Sequence, residues 1–354
     1  MFQYLPSFGL ILLISLLLSA SLTPFMERLG LRLRVADRPG GRRQHGRLIS
    51  RLGGVGMYVG FSVAVLATLM LPNGWLPPRL DQKELFRLAG LLLGTSAVFV
   101  FGLLDDRFEF PSRPQFAAQF LSSLIAIAFI IFIERTNNPF TNQVVQFAWP
   151  VVWALTIFWF MGMINTMNWL DGMDGLATGV AAIMSAVLAV HMIGAGQYSV
   201  ALLPVALLGA ALGFLPFNFN PARVFMGSNG SYFLGWALAA LGIIAGAKLA
   251  TVLLVMGLPI LDVAWLIFYR WRRGERASLA GRDHLHYRLA DMGFSQRQIV
   301  AGYYFFSAAF GVLALGLGSR LFKLVALLVL TGAALAVIIW ATEASERKKA
   351  PDDA

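Results

Sequence analysis

The side chains best suited to chemistry lie in the segment that runs from Asn165 through Asn168, Asp171 and Asp174 to Gly175. If an apolar helix continues through this segment, Asn165, Asn168 and Asp171 share one helical stripe, because residues three apart are neighbours on a helix. Two Asp-Gly pairs then end the helix and bend the chain, which brings Asp174 back beside Asp171. Asp and Gly also end helices for structural reasons alone. That alternative does not explain why two amides and two carboxylic acids share one stripe.

A second acidic pair, Asp105-Asp106, follows another apolar run. Adjacent helical residues point about 100° apart, so the two carboxylates cannot both face one atom. This predicts a division of roles, with one acid toward a reacting phosphate and the other toward a metal or a basic partner. Mg²⁺ is normally held by one or two carboxylates plus substrate phosphates, so two acidic segments are compatible with a magnesium site. The alternative is a solvated helix end.

Two further segments could bind anions. The segment from Asn218 to Ser231 places Gly227 and Gly230 before an apolar run, where the N–H groups of a helix start could receive phosphate. A Gly-rich turn is also an ordinary chain reversal. The second segment is Arg282-Asp-His-Leu-His-Tyr-Arg, whose arginines favour an anion site over a zinc site.

The arginines before Gly53 could attract anionic lipid headgroups. One acid, Asp262, lies within a late apolar run. An ionisable group inside a membrane is costly unless it is paired, and we expect Asp262 near the cytoplasmic cleft.

Composition indicates what positions these residues. Of 354 residues, 58% are hydrophobic and 13% are charged, whereas soluble domains are about 25% charged. The net charge of +10 is better explained by basic loops flanking membrane spans than by nucleic-acid binding. The absence of cysteine excludes disulfides and thiolate metal sites. The chain is therefore predicted to be an all-α, polytopic integral membrane protein.

About eleven apolar runs are long enough to span a bilayer. Their approximate positions are 5–25, 53–71, 87–104, 115–133, 148–165, 176–195, 199–217, 231–247, 249–269, 299–318 and 324–341. The first run lacks a preceding positive residue and a cleavage site, so we interpret it as a retained span rather than a signal peptide. A single transmembrane domain over 1–341 and a short tail over 342–354 are expected.

The basic residues orient these spans. With the N-terminus outside, the loops at 26–52, 105–114, 166–175, 218–230 and 270–298 and the C-terminal tail are cytoplasmic. These pieces hold 21 of the 28 Lys and Arg residues, as the positive-inside rule requires. A transporter is the rival class, but transporters place polar groups near the midplane, whereas nearly every acid here lies in a loop.

Taken together, the five loops resemble those of the polyprenyl-phosphate N-acetylhexosamine-1-phosphate transferase superfamily, and more closely its bacterial undecaprenyl-phosphate GlcNAc-1-phosphate branch (glycosyltransferase family 4). The span count, the orientation and the order of the motifs agree over nearly the whole chain. Glu109, four residues after Asp105, favours the GlcNAc branch over the phospho-MurNAc-pentapeptide branch. The implied reaction transfers GlcNAc 1-phosphate from UDP-GlcNAc to undecaprenyl phosphate and releases UMP, at the inner (plasma) membrane, as the first membrane step of cell-envelope glycan synthesis.

The resemblance also implies roles for individual residues. Asp105 and Asp106 match the paired catalytic acids. The implied ligands of Mg²⁺, or of Mn²⁺ in its place, are Asp171, Asp174 and Asp106, and the implied lipid-phosphate residues are Arg47 and Arg51. The residues implied to bind the nucleotide sugar are Asn168, Asn218, Phe225, Asn229, His284, His286 and Arg288. The partners are membrane lipid and the two substrates, without nucleic acid, and a homodimer is compatible with the family.

The main departure is Ser228, where the family usually has an Asp that binds the metal. Serine is neutral and a weak ligand for a hard dication. Either the metal is held by Asp105, Asp106 and Asp171 or Asp174, with help from Asn229, or the chain is a noncatalytic relative that binds lipid phosphate or nucleotide sugar. A smaller departure is Tyr287, where relatives often have a further histidine.

Overall fold

The computed structural model describes residues 2–37, 48–72, 74–79, 81–246, 249–274 and 283–349. It is mostly helical, with thirteen α-helices within those residues. The chain divides into two compact units, residues 1–249 and 250–354, where the sequence predicts one transmembrane domain. Each unit is described by itself.

Among its described residues the first unit contains eight α-helices and two antiparallel pairs of short strands. The helices are α1 (Leu5–Leu33), α2 (Gly53–Met70), α3 (Gln82–Phe108), α4 (Ser112–Ala128), α5 (Trp149–Leu170), α6 (Leu176–Gly194), α7 (Tyr198–Asn218) and α8 (Gly227–Ile244). The antiparallel pairs are β1 (Ala36–Asp37) with β2 (Ile49–Ser50), and β3 (Arg135–Asn137) with β4 (Val144–Gln146).

The second unit is built from α9 (Leu249–Val255), which begins at the boundary, α10 (Gly257–Arg272), α11 (Leu285–Asp291), α12 (Gln296–Gly316) and α13 (Arg320–Lys349). In this unit α10 and α11 each pack against both α12 and α13. The last helix continues into the segment predicted as a tail.

The helices support a polytopic membrane protein. Eight of them are long and apolar enough to cross a membrane, and α9 with α10, bent by 80° at their junction, would make a ninth among the described residues. The two other predicted spans coincide with α4 and α8. With 17 residues α4 is short, and the first turns of α8 are polar.

The core of the first unit is α8, which packs against α2, α3, α5 and α6. Every residue from Asn229 to Ile244 is buried, as expected for a helix surrounded on all sides. The Trp236 ring lies 4.8 Å from the Phe160 ring and its Nε1 donates to the Ser122 carbonyl oxygen. Packing along its whole length therefore fixes α8, the helix that carries the Gly227–Ser231 motif.

A second seam joins α1 to α7. The Ser15 hydroxyl donates to the Ala206 carbonyl oxygen at 2.6 Å, and the Ser19 hydroxyl donates to that of Ala210 at 2.8 Å. Small residues let helix backbones approach, and hydrogen bonds between helices replace the hydrophobic force that is absent in lipid. This seam positions the C-terminal end of α7, where Asn218 lies.

The close crossing of α3 and α8 predicts a sensitive glycine. A Cβ on Gly102 would lie 2.5 Å from Asn229 Cα and 2.6 Å from its nitrogen, and neither backbone atom can move alone. We expect Gly102→Ala to destabilise the protein by roughly 1–3 kcal/mol, seen as a lower thermal unfolding midpoint in detergent. Gly162→Ala is the matched control, because nothing lies within 4 Å of that Cβ. Equal midpoints for the two variants would contradict the crossing.

Candidate active site

The C-terminal end of α3 meets the N-terminal end of α8 through Asp106. Its Oδ1 accepts the Ser228 N–H at 2.9 Å, and its Oδ2 accepts the N–H and the Nδ2 of Asn229 at 3.0 and 2.5 Å. The first N–H groups of a helix lack partners within the helix and attract negative charge. Asp106 therefore caps α8 from another helix. The expectation that these N–H groups receive a phosphate is wrong for Ser228 and Asn229, because a carboxylate of the protein already occupies them.

Asn229 joins this cap to the start of α2. Its Nδ2 also donates to the Arg51 carbonyl oxygen at 2.8 Å. Since both neighbours of Nδ2 are acceptors, the amide orientation follows from the network. Asn229 Oδ1 is buried without a hydrogen-bond partner among the described residues and lies against Gly54 of α2. The oxygen that could assist a metal is therefore turned toward the α2 backbone.

Asp105 faces a different set of partners from Asp106. It is buried, and its Oδ1 accepts the Phe110 N–H at 3.1 Å and the Gln115 Nε2 at 3.0 Å. The Phe110 N–H belongs to the turn between α3 and α4, and Gln115 lies near the start of α4. The two acids therefore point to separate groups, as the 100° rotation between neighbours predicts.

The segment after α5 forms the second acidic element. The helix ends at Leu170, with Asp171 as its C-cap, and α6 starts after Gly175, whose φ of 80° suits glycine. Asp174 Oδ2 accepts the Asn220 Nδ2 and the Ala222 N–H, both at 3.0 Å. Asp174 thus fixes the loop after α7, because its Oδ2 is already hydrogen-bonded to that loop.

Asp171 differs from the other acids of the site. No hydrogen bond to its carboxylate is found within the part of the chain that the structure describes. Burial, and then the negative charges of Asp106 and Asp174, raise its pKa well above the ordinary value, although Arg51 opposes them. Asp171 is therefore the carboxylate on which added positive charge would have the largest effect.

The predicted nucleotide residues of this unit are bound to the protein itself. Asn218 is buried, accepts from the Gly175 N–H and the Thr178 hydroxyl, and donates to the Val224 carbonyl oxygen. Asn218 therefore ties the end of α7 to the start of α6. Thr178 was not predicted, and nothing in its local sequence distinguishes it.

Asn168 and Phe225 also make contacts within the protein. Asn168 Oδ1 accepts the Ser231 hydroxyl at 3.0 Å, which links α5 to α8. Phe225 is half-buried and its backbone bonds to Ser50 and Gly53. Asn165, by contrast, pairs with Gln119 of α4.

Of the predicted lipid-phosphate residues, Arg47 lies outside the described residues. Arg51 lies at the acidic cluster, which comprises Asp105, Asp106, Asp171 and Asp174. The Arg51 guanidinium bonds Asp37 at 2.5 Å and Glu109 at 3.0 Å. Burial disfavours its charge, but Asp37, Asp106 and Glu109 outweigh that effect and raise its pKa. Arg51 thus partly neutralises the carboxylates around it.

The second unit contains the histidine motif. His284 Nδ1 lies 3.1 Å from Asp262 Oδ2, and the Leu285 N–H donates to Asp262 Oδ1 at 2.8 Å. Asp262 therefore has the partners that a buried acid requires, as expected. Because an ionised carboxylate only accepts hydrogen bonds, His284 donates from Nδ1. The sequence indicated that Asp262 must be paired but did not identify His284 as its partner.

Arginines surround this motif. Buried Arg270 bonds the Asp283 carboxylate at 2.9 Å, and Arg288 Nε donates to the Asp283 carbonyl oxygen at 2.7 Å. The rings of His284 and His286 are parallel, with centroids 5.5 Å apart. The motif is thus a compact basic group held on α10 and α11.

The fit to a divalent cation depends on how many ligands the protein must supply. Among the described residues, no group of three or more histidines and acids is close enough to hold a metal ion by itself. Mg²⁺ commonly uses one or two carboxylates, with substrate phosphates and water as its other ligands. Asp171, a partly buried carboxylate beside two like charges, fits that second arrangement.

The raised pKa of Asp171 predicts a pH-dependent stability. A folded-state pKa above the unfolded value means that the folded protein binds more protons, so stability falls as pH rises above about 4, the unfolded value. Asp171→Asn removes this penalty. We expect its unfolding midpoint without divalent ions to exceed that of the original chain, by an amount that grows with pH. Exposed Asp291→Asn is the control, and a pH-independent difference for Asp171→Asn would contradict the assignment.

Comparison with known proteins identifies the family. Residues 88–246, which include the acidic cluster and Asn229, match the glycosyl transferase family 4 model. A phospho-N-acetylmuramoyl-pentapeptide-transferase of Geobacillus kaustophilus is 31% identical over 86% of this chain and 94% of its own length. A probable undecaprenyl-phosphate N-acetylglucosaminyl 1-phosphate transferase of Bacillus subtilis is 28% identical over 87% of this chain and 84% of its own. A decaprenyl-phosphate N-acetylglucosaminephosphotransferase of Mycolicibacterium smegmatis is 28% identical over 85% and 79%. The chain belongs to glycosyl transferase family 4.

Proposed function

We propose that the chain transfers a sugar 1-phosphate, GlcNAc 1-phosphate, from UDP-GlcNAc to undecaprenyl phosphate and releases UMP. The names of the relatives support this, because two of them specify a GlcNAc phosphate transfer to a polyprenyl phosphate. The observation that carries the proposal is Asp171, an acid whose pKa is raised by burial and by the negative charges of Asp106 and Asp174. Such a carboxylate suits a reaction in which several phosphate oxygens must be gathered around a cation.

We place this site at the cytoplasmic face of the inner membrane. The proposed topology has about eleven spans, an external N-terminus and a cytoplasmic C-terminus. The distribution of Lys and Arg supports that orientation. The polyprenyl tail would then lie along the spans while its phosphate meets a soluble nucleotide sugar. A homodimer is part of the same proposal, by likeness to the family alone.

In the proposed reaction an oxygen of the lipid phosphate attacks the β-phosphorus of the nucleotide sugar. A new P–O bond forms, and the bond between the β-phosphorus and the bridging oxygen breaks, so that UMP leaves. The lipid phosphate is already an anionic nucleophile, which supports direct attack. Attack by an Asp to give an acyl phosphate is the alternative course. Asp105, buried beside the turn to α4, would orient the lipid phosphate, while Asp106 holds α8 in place.

Mg²⁺, with Mn²⁺ as the substitute, is the proposed cofactor. Asp171 would hold it together with substrate phosphates, and Asp106 and Asp174 would add negative charge. When bound, the ion neutralises the phosphate oxygens and polarises the phosphorus that is attacked. Asp106 and Asp174 already accept N–H hydrogen bonds, so their main contribution is to fix the loops beside Asp171.

The remaining polar residues are proposed to hold the two substrates. His284, His286 and Arg288 would bind the donor diphosphate, Phe225 would stack on the uracil base, and Arg47 and Arg51 would attract the lipid phosphate. Asn168, Asn218 and Asn229 shape the nucleotide pocket by connecting helices rather than by presenting their amides.

Ser228 favours a second candidate function, that of a noncatalytic relative that binds lipid phosphate or nucleotide sugar. Its N–H completes the Asp106 cap, which a serine provides as well as an aspartate would. The missing carboxylate removes one negative charge beside Asp106, and that is the difference to be tested.

UMP release is the direct test. With purified chain, undecaprenyl phosphate, UDP-GlcNAc and Mg²⁺, we expect metal-dependent turnover, and a loss of at least a hundredfold in Asp171→Asn. Ser228→Asp should leave the activity within about tenfold. Activity that appears only in Ser228→Asp would favour the binding protein. Turnover in the presence of excess chelator would contradict the role of Asp171.

The pairing of Asp262 with His284 predicts a separate effect on the donor. Asp262→Asn keeps the shape but weakens the orientation of His284, so KM for UDP-GlcNAc should rise about tenfold, since hydrogen bonds to charged groups contribute roughly 1.5–3 kcal/mol. Steady-state kinetics and a shifted pH profile would report this. Asp291→Asn, at the exposed last residue of α11, serves as the control, and unchanged donor kinetics in Asp262→Asn would refute the orienting role.

A further inference from the structure

The first unit has a polar cavity far from the acidic cluster. It has a volume of about 150 Å³ and opens where the N-terminal ends of α3 and α7 meet the C-terminal end of α8. The acids occupy the other end of α3, a helix of 27 residues that is about 40 Å long. The cavity therefore lies at the opposite surface of the bilayer from Asp105 and Asp106. Its polar lining is Arg79, Asp81, Glu84, Arg87, Gln197 and Ser199.

The charges around this cavity do not neutralise one another directly. Arg79 donates to Thr68 and Arg87 Nε donates to the Ile130 carbonyl oxygen, while Glu84 accepts from Ser199. Within the residues that the structure describes, no ion pair joins either arginine to Asp81 or Glu84. Each guanidinium has five N–H groups, so both retain donors for a further partner. Burial lowers the pKa of Arg79 despite the opposing effect of Glu84.

Gln197 supplies an independent sign of a missing partner. Its Oε1 is buried without a hydrogen bond in the described chain. A buried acceptor without a donor is costly, and native structures contain few of them. The cavity has roughly ten times the volume that one water requires, so it has room for a polar group that would reach this oxygen.

The balance of charge distinguishes between ligand classes. Two arginines alone would suit a simple phosphate, but the two carboxylates would repel it and Gln197 Oε1 would stay without a donor. A zwitterion with a phosphate and a primary ammonium offers a partner to every one of these groups. The cavity also lies beside the contact between Tyr4 and Tyr198, and aromatic side chains of this kind concentrate at the membrane surface.

We propose that this cavity binds the phosphoethanolamine headgroup of a membrane phospholipid. The phosphate lies between Arg79 and Arg87, and the ammonium donates to Glu84 and to Gln197 Oε1. The site is independent of the transfer reaction, because it is separated from the acidic cluster by the length of α3.

Native mass spectrometry of the delipidated full-length chain tests the proposal. Short-chain phosphatidylethanolamine, phosphatidylglycerol and phosphatidylcholine are titrated separately, as is inorganic phosphate. We expect phosphatidylethanolamine to bind roughly tenfold more tightly than the other two lipids, because phosphatidylglycerol lacks the ammonium and phosphatidylcholine lacks its N–H donors. Equal binding of the three lipids would overturn the proposal. Inorganic phosphate that displaces phosphatidylethanolamine at equal concentration would identify a simple anion site instead.

Glu84→Gln tests the contact with the ammonium separately from the contact with the phosphate. The amide can still accept from Ser199, but the ammonium loses its charged partner, so the preference should shift from phosphatidylethanolamine to phosphatidylglycerol. Gln197→Met should reduce phosphatidylethanolamine binding without increasing that of phosphatidylglycerol. Exposed Glu134→Gln is the matched control and should behave like the original chain. Unfolding midpoints and UMP release verify that the variants fold. A lipid preference unchanged in both cavity variants, or altered equally in Glu134→Gln, would refute the site.

Discussion

The carboxylate of Asp106 on the first turn of α8 is the interaction on which the rest of the site depends. A buried helix start carries N–H groups that water cannot reach, and a carboxylate from α3 satisfies two of them. The same carboxylate binds Asn229 Nδ2, which in turn holds the α2 start through Arg51. One negative charge thereby fixes three helix ends, and it can do so only because Gly102 lets α3 and α8 approach.

This arrangement divides the acids into supports and a reactive centre. Asp106 and Asp174 each accept backbone N–H groups, so their positions are determined by the helix start and the loop that they hold. Asp171 has no such partner among the described residues, and its environment penalises its negative charge. The energetic cost of keeping Asp171 beside two carboxylates is a cost that a cation and phosphate ligands could offset on binding. A departure such as Ser228 is tolerable in this scheme, because the cap uses its backbone rather than its side chain.

Several polar residues of the motifs serve to connect helices. Asn218 and Asn168 occur in motifs that suggest ligand contacts, yet both join helices of the first unit. Buried amides in lipid-like surroundings must be paired, and pairing within the protein satisfies them in every state of the reaction. Gln197 Oε1, in the cavity at the far end of α3, is informative for the same reason, because no donor among the described residues reaches it.

From the sequence alone, hydropathy determined a polytopic helical protein, since a lipid core is spanned by long apolar helices whose backbone groups bond to one another. The motifs also placed Asp105, Asp106, Asp171 and Asp174 in loops or at helix ends, because Asp and Gly end helices. Which acid caps a helix and which stays open was decided by tertiary structure. Residues far apart in the chain, such as Asp106 with Asn229 or Asp262 with His284, carry no local signal of their pairing, because the contact depends on how whole helices cross.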